Sequence, residues 1–140
     1  MSIAPGRYEL VDHTGDLAIR VVAPSFDALL KTAALALFEL LLDDRATVLG
    51  RTTVEIPIDA ARSQEERVKG LLSELLFRFD VERFVVADVT IEAGCARCVG
   101  EAFDPARHVR TRSIKAVTYH GLAVTRTGDG GYSAEIVFDI

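Results

Sequence analysis

The stretch Val11-Asp12-His13-Thr14-Gly15-Asp16-Leu17 holds two carboxylates and a histidine within five residues. It forms a Gly-containing bend between two apolar runs, Tyr8-Glu9-Leu10-Val11 and Leu17-Ala18-Ile19-Arg20-Val21-Val22. A polar knot between two strand-like runs is a turn by its chemistry. Such a turn needs no function, because Asp side chains bond nearby backbone amides and Gly accepts positive φ. A second reading needs a partner, and the far end of the chain offers one. Val137-Phe138-Asp139-Ile140 sets Asp139 and a terminal carboxylate on Ile140 at the tip of an apolar strand. Asp16, Asp139 and the Ile140 carboxylate together offer oxygen-only ligation, which suits a hard divalent cation such as calcium or magnesium. Three anions brought together without a cation repel, so their convergence would itself imply a metal. Nothing in the residues alone brings the two ends together.

Other side chains stand as candidates. Asp12 and His13 lie beside Asp16; His13 suits positioning a ligand or moving a proton, and equally a backbone-bonded turn. Lys115 and His120 bracket Ile114-Lys115-Ala116-Val117-Thr118-Tyr119-His120. On a strand, Lys115, Val117 and Tyr119 share one face, and the lysine either meets an acidic cluster or phosphate, or sits in solvent. Cys95-Ala96-Arg97-Cys98 is a lone CxxC at an expected hairpin tip, with neither the two further ligands that zinc needs nor a helix N-terminus to activate a thiol. It reads as incidental. Arg107, His108, Arg110, Arg112 and Lys115 form a basic stretch without interleaved aromatics, so it reads as a solvated loop rather than a base-stacking platform. No Ser-His-Asp set, P-loop or dinucleotide fingerprint is present.

The elements that must position these groups follow from periodicity. Strands are expected at about 7–11 and 16–23. Ser25 caps a helix from Phe26 to Leu42, with Asp27 in its first turn and apolar residues at three-and-four spacing. A strand at 51–58 carries Pro57, which places it at an edge. Ser63 and Glu66 make a capping box for a second helix to about Phe79, and Gly70 inside it implies a close approach by a neighbour. Strands follow at 83–93 and 98–104, joined by a hairpin around Gly94-Cys95-Ala96-Arg97. Three more follow at about 113–118, 122–127 and 132–138, the last two joined at Gly128-Asp129-Gly130-Gly131. The order predicts one α+β domain spanning 1–140: two layers, with two main helices on one face of a mostly antiparallel or mixed sheet.

Composition limits the function classes. A chain of 140 residues with 49% hydrophobic content, ten Gly and four Pro is one compact domain. Sixteen Lys and Arg against 21 Asp and Glu leave a net charge of −5, which argues against charge-driven nucleic-acid binding. Two Cys and one Met fit a reduced, cytoplasmic setting. No run is long and apolar enough for a membrane helix, and Met1-Ser2-Ile3-Ala4-Pro5 lacks a signal pattern, so no membrane contact is expected.

Four ordered blocks resemble the archease family. They are Tyr8 through Asp16, the helix Ala33-Ala34-Leu35-Ala36-Leu37-Phe38, Ile114 through His120, and the closing Phe138-Asp139-Ile140. Gly15 stands where Ala is usual, and Phe138 precedes the final Asp-Ile; neither change removes an oxygen ligand. The resemblance implies a protein cofactor rather than an enzyme. Its partner would be the tRNA-splicing RNA ligase, which joins cyclic-phosphate and 5′-hydroxyl ends. The cofactor promotes guanylylation of the ligase and multiple turnover, with RNA contact only indirect or weak. It also implies that Asp16, Asp139 and Ile140 meet around a divalent metal, calcium first, with magnesium or manganese as alternatives. Asp12, His13, Lys115 and His120 would then adjoin that site or the partner. The rival reading is a stand-alone metal-dependent phosphoester hydrolase with His13 as base.

Overall fold

The computed structural model describes residues 5–11 and 16–140. Eight strands and two long helices follow in the order β1 (Arg7–Val11), β2 (Leu17–Ala23), α1 (Phe26–Leu41), β3 (Thr52–Pro57), α2 (Gln64–Glu82), β4 (Phe84–Glu92), β5 (Cys95–Ala102), β6 (Ala116–Val117), β7 (Val124–Arg126) and β8 (Tyr132–Asp139). Each pairing is antiparallel, and the strands divide between two sheets rather than one. The larger runs β1-β2-β8-β6, with β7 also on β8; the smaller runs β3-β5-β4. Pro57 closes β3, an edge strand, where its missing N–H costs no ladder bond.

Helix α1 holds the two sheets together. It packs on β1, β2 and β8 of one sheet, on β4 of the other, and on α2. Ser25 Oγ accepts from the Ala28 amide at 3.1 Å, and Asp27 lies in the positive first turn. Ten of its sixteen residues are buried, on more than one face, as a helix with neighbours on several sides requires. Its last carbonyls are met by a distant loop. The Thr111 amide donates to Leu41 O at 2.9 Å, and Thr111 Oγ1 and Arg112 Nη1 donate to Leu40 O at 3.2 and 3.4 Å. The basic stretch therefore satisfies helix-terminal acceptors that have no partner within α1.

The capping box of α2 is present, with the Glu66 amide on Ser63 Oγ at 3.1 Å and the Ser63 amide on Glu66 Oε1 at 3.3 Å. The helix continues beyond Phe79 to Glu82 and stops where Arg83 turns left-handed at φ 59°, its amide donating to Phe79 O at 3.1 Å. The stripe Val68, Leu71, Leu72, Leu75, Leu76 and Phe79 is buried.

The hairpin between β4 and β5 is tighter than the sequence pattern implied. Its turn is Ala93-Gly94, both with positive φ, of 52° and 70°. A two-residue turn of this hand suits the twist of the flanking strands. Cys95 and Cys98 consequently lie in β5 and not in the loop. Residues three apart on a strand face opposite sides, so the pair is not poised to join. Cys98 is fully buried, and that burial, with Cys95 nearby, pushes its thiol up to about 11. One glycine of β5 is fixed by contact: a Cβ on Gly100 would sit 1.9 Å from Val85 O. Gly70 is the opposite case. An added Cβ there would meet nothing within 4 Å, so the neighbour expected against it is absent.

Two substitutions test these placements. Gly70→Ala should stabilise the fold by about 1 kcal/mol, raising Tm by about 2–4 °C, because helix propensity improves and no atom is displaced. Cys98→Ser should cost about 1–3 kcal/mol for a buried hydroxyl, whereas Cys95→Ser should stay within about 0.5 kcal/mol. Thermal melts of the three variants read both effects.

Candidate functional site

The β2–β8 ladder decides where the acids go. Leu17 pairs with Phe138, and on the other edge of β8, Val117 pairs with Phe138 and Ala116 with Asp139. The register ends on Leu17 and Phe138, the sequence neighbours of Asp16 and Asp139. Phe138 is fully buried, so the alternation of the strand turns Asp139 to the outer face, and Asp16 and Asp139 are both exposed. Ile140 follows at the same edge, half exposed. The Lys115 amide donates to Asp139 O at 2.7 Å, fixing the backbone of one to the other. Residues distant in sequence, Asp16, Lys115, Asp139 and Ile140, therefore gather at one end of the larger sheet. Asp12 and His13 lie outside the described residues.

The block around Lys115 differs from its expected form. β6 is only Ala116–Val117, so Lys115, Tyr119 and His120 flank a strand instead of sharing its faces. The His120 amide donates to Thr118 Oγ1 at 3.2 Å, and the Leu122 amide to Tyr119 O at 3.0 Å, which makes 118–122 a turn.

Opposed like charges on paired strands repel, and a hard cation bound by their oxygens removes that repulsion. Asp16 and Asp139 offer two such oxygen donors. The donor set suits calcium, magnesium or manganese better than a softer metal. Among the described residues no three His, Cys, Asp or Glu side chains cluster closely enough to hold an ion by themselves.

A second polar centre was not legible in the sequence. Glu101 on β5 is 5% exposed and collects donors from two segments. The Leu49 amide reaches Oε2 at 2.7 Å; Arg107 binds both oxygens through Nη1 and Nη2 at 2.9 and 2.7 Å. His108 Nε2 lies 3.1 Å from Oε2, and Arg51 Nε 3.5 Å from Oε1. His108 Nδ1 accepts from the Asp104 amide at 2.9 Å, so in the neutral ring the hydrogen sits on Nε2 and points at Glu101. Arg107 also donates to Thr47 O at 3.0 Å. Two of the five residues in the basic stretch expected in solvent, Arg107 and His108, are thus committed to a buried carboxylate, with His108 itself 2% exposed. The Arg107 hydrogen bonds hold the Glu101 carboxyl down at about 2, against the burial that opposes them.

A third network joins α1 to β1. Tyr8 Oη donates to Glu39 at 2.8 Å, and Glu39 accepts from Arg45 Nε at 3.1 Å. Arg45 also donates to the Ala87 carbonyl. Partial burial and the bond to Glu39 push the Tyr8 hydroxyl up to about 12.

The fold defines a class: a small two-helix α+β domain built on two antiparallel sheets. The model of the Archease protein family (MTH1598/TM1083) matches residues 8–140. The chain belongs to the archease family. A protein archease from Pyrococcus furiosus is 32% identical, over 96% of this chain and 99% of that one. Its counterpart from Methanopyrus kandleri is 35% identical, over 95% and 99%. The chain also resembles the solution structure of Methanobacterium thermoautotrophicum protein 1598, with a TM-score of 0.70, 26% identity and coverage of 95% and 98%. Among the described residues, no helix is long and apolar enough to cross a membrane.

The Glu101 centre makes a pH prediction. An unfolded glutamate titrates near about 4.3, and the folded value is about 2, so the folded state takes up this proton less readily. Its stabilisation is complete above about pH 5 and fades as pH falls toward about 2. Glu101→Gln should lower the melting temperature at neutral pH, with the gap to wild type closing between about pH 5 and 2. A gap that stays constant over that range would remove Glu101 from the acid limb.

Proposed function

We propose that this chain is a protein cofactor of the RNA ligase that joins cyclic-phosphate and 5′-hydroxyl RNA ends in tRNA splicing and RNA repair. It promotes GTP-dependent guanylylation of the ligase's active-site histidine and allows multiple turnover. Membership of the archease family supports the reading. The observation that supports it is the register of β2 and β8, Leu17 against Phe138, which brings the segments that carry Asp16 and Asp139 to one exposed sheet end.

On this reading Asp16, Asp139 and the Ile140 carboxylate hold a divalent cation, and Lys115, tied through its amide to Asp139, faces the partner or its phosphates. These carboxylates would hold a cation whose positive charge would suit phosphate oxygens of the ligase's nucleotide. The chain's own residues fix the donors: β8 is hydrogen-bonded on both edges, so Asp139 sits on a rigid strand. The protein performs no RNA chemistry itself and works in the cytoplasm beside its ligase.

The test combines calorimetric metal titration with a guanylylation assay containing ligase, GTP and metal. Asp16→Asn and Asp139→Asn each remove one anionic donor with almost no change of volume. Each should weaken metal binding and ligase activation by about tenfold or more, while the melting temperature in metal-free buffer holds or rises. A Gly-Ser extension after Ile140, which turns that carboxylate into an amide, should act in the same direction. Lys115→Ala should lower activation while changing stability by no more than about 0.5 kcal/mol. Silent Asp variants would return the acidic turn to a structural role, and RNA-end turnover by this chain alone would favour the hydrolase.

A further inference from the structure

Helix α2 carries a feature that the acidic sheet end does not use. Gly70 lies mid-helix at a cost in propensity, and no neighbouring element fills the space that it leaves. That space is the floor of a cleft of about 300 Å³ between the first turns of α2, the end of β3 and Tyr119. The volume is at the lower end of ligand pockets, which run from roughly 300 to 1,000 Å³. Ile58 and Leu71 give it an apolar wall. Tyr119 is 54% exposed, an unusual amount for an aromatic ring, and Lys69 Nζ lies 4.8 Å from its centroid. Arg62 and Arg67 complete the rim.

The charges are arranged and not merely present. Arg62 is steered by Glu66, at 3.0 Å, and by Asp59, at 3.9 Å, which accounts for both acids of the lining. Arg67 donates through Nε to Arg62 O at 3.1 Å, and its guanidinium stacks 4.9 Å from the Phe26 ring. Among the described residues, those contacts leave the Nη donors of Arg67 for an anion at the rim, while the Lys69 ammonium stands on the Tyr119 ring outside the lining. A half-exposed aromatic ring, an apolar wall and a cationic rim recognise a planar ring bearing a phosphate. These cations are remote in sequence from Tyr119, and the fold assembles the group despite a net charge of −5.

We propose that the cleft between α2 and Tyr119 binds a nucleotide unit, with the base against Tyr119 and Leu71 and the phosphate at Arg67. The same chemistry is offered by a free nucleoside monophosphate and by one residue of single-stranded RNA. The inference does not rest on the ligase reading, because the cleft needs neither ligase nor metal.

The test is direct binding to the full chain followed by NMR of backbone amides, without ligase or metal. The probes are adenosine monophosphate, adenosine, inorganic phosphate and a short oligoadenylate. Adenosine monophosphate should shift the amides of Gly70, Leu71 and Tyr119 and leave those of Thr32 and Leu35, in another cavity, unmoved. Adenosine or phosphate alone should bind more weakly. Tyr119→Ala should weaken binding at least about fivefold, the low end for base stacking. Gly70→Leu should do the same by filling the cleft, and it keeps the helix intact. Tighter binding of the oligomer through the same amides assigns the site to RNA, and equal binding assigns it to the free nucleotide. The proposal is overturned if neither nucleotide probe shifts these amides, if inorganic phosphate binds as well as adenosine monophosphate, or if both variants bind like wild type. Loss of ligase activation in Gly70→Leu without nucleotide binding by wild type would instead make the cleft a protein contact.

Discussion

Strand β8 is hydrogen-bonded along both edges, to β2 on one side and to β6 and β7 on the other. Its inward residues Ala134, Ile136 and Phe138 are buried, so its register cannot slip without turning that apolar set to solvent. This constraint fixes residues 132–138 against residues 17–23. It also fixes which face each residue takes, and so it turns Asp139 outward while Phe138 stays in the core. The outward placement of Asp139 is a consequence of core packing one residue away.

The loops obey a different rule. Buried Glu101 cannot remain ionised without donors, and it draws them from the 45–51 segment and from the loop after β5. Ordering that loop brings Thr111 and Arg112 to the open carbonyls of α1. One buried carboxylate and one helix terminus thereby shape a long irregular segment, which in turn leads into Lys115 and β6. Charge that looked free for a partner is used inside the protein.

Two surfaces then flank β6. At its start, the Lys115 amide is bound to Asp139 beside the acid pair. Beyond its end, the turn at 118–122 presents Tyr119 to the cations of α2. Val124 donates its amide to Glu65 Oε2 at 2.7 Å, which holds β7 to the same end of that helix. Exposed Asp139 and the Lys69–Tyr119 pair thus stand on either side of a two-residue strand.

The sequence by itself determined the elements whose signals are local. Caps at Ser25 and Ser63, the apolar stripes of both helices, the edge character of Pro57 and the Gly-rich turn before β8 are each set by a few neighbouring residues, and each has its place in the structure. Asp16 and Asp139 were recognisable as a pair through ordered family blocks, but no local force joins residues so far apart. That juxtaposition, the division of the strands into two sheets, and the shift of Cys95 and Cys98 from loop to strand depend on inter-strand register, which only the packed core selects. Glu101, Arg107 and His108 read as ordinary polar residues because burial, not residue type, makes them a cluster. Tyr119 and the α2 cations were invisible as a group for the same reason: their distance in sequence is closed only by tertiary contact between β6 and α2.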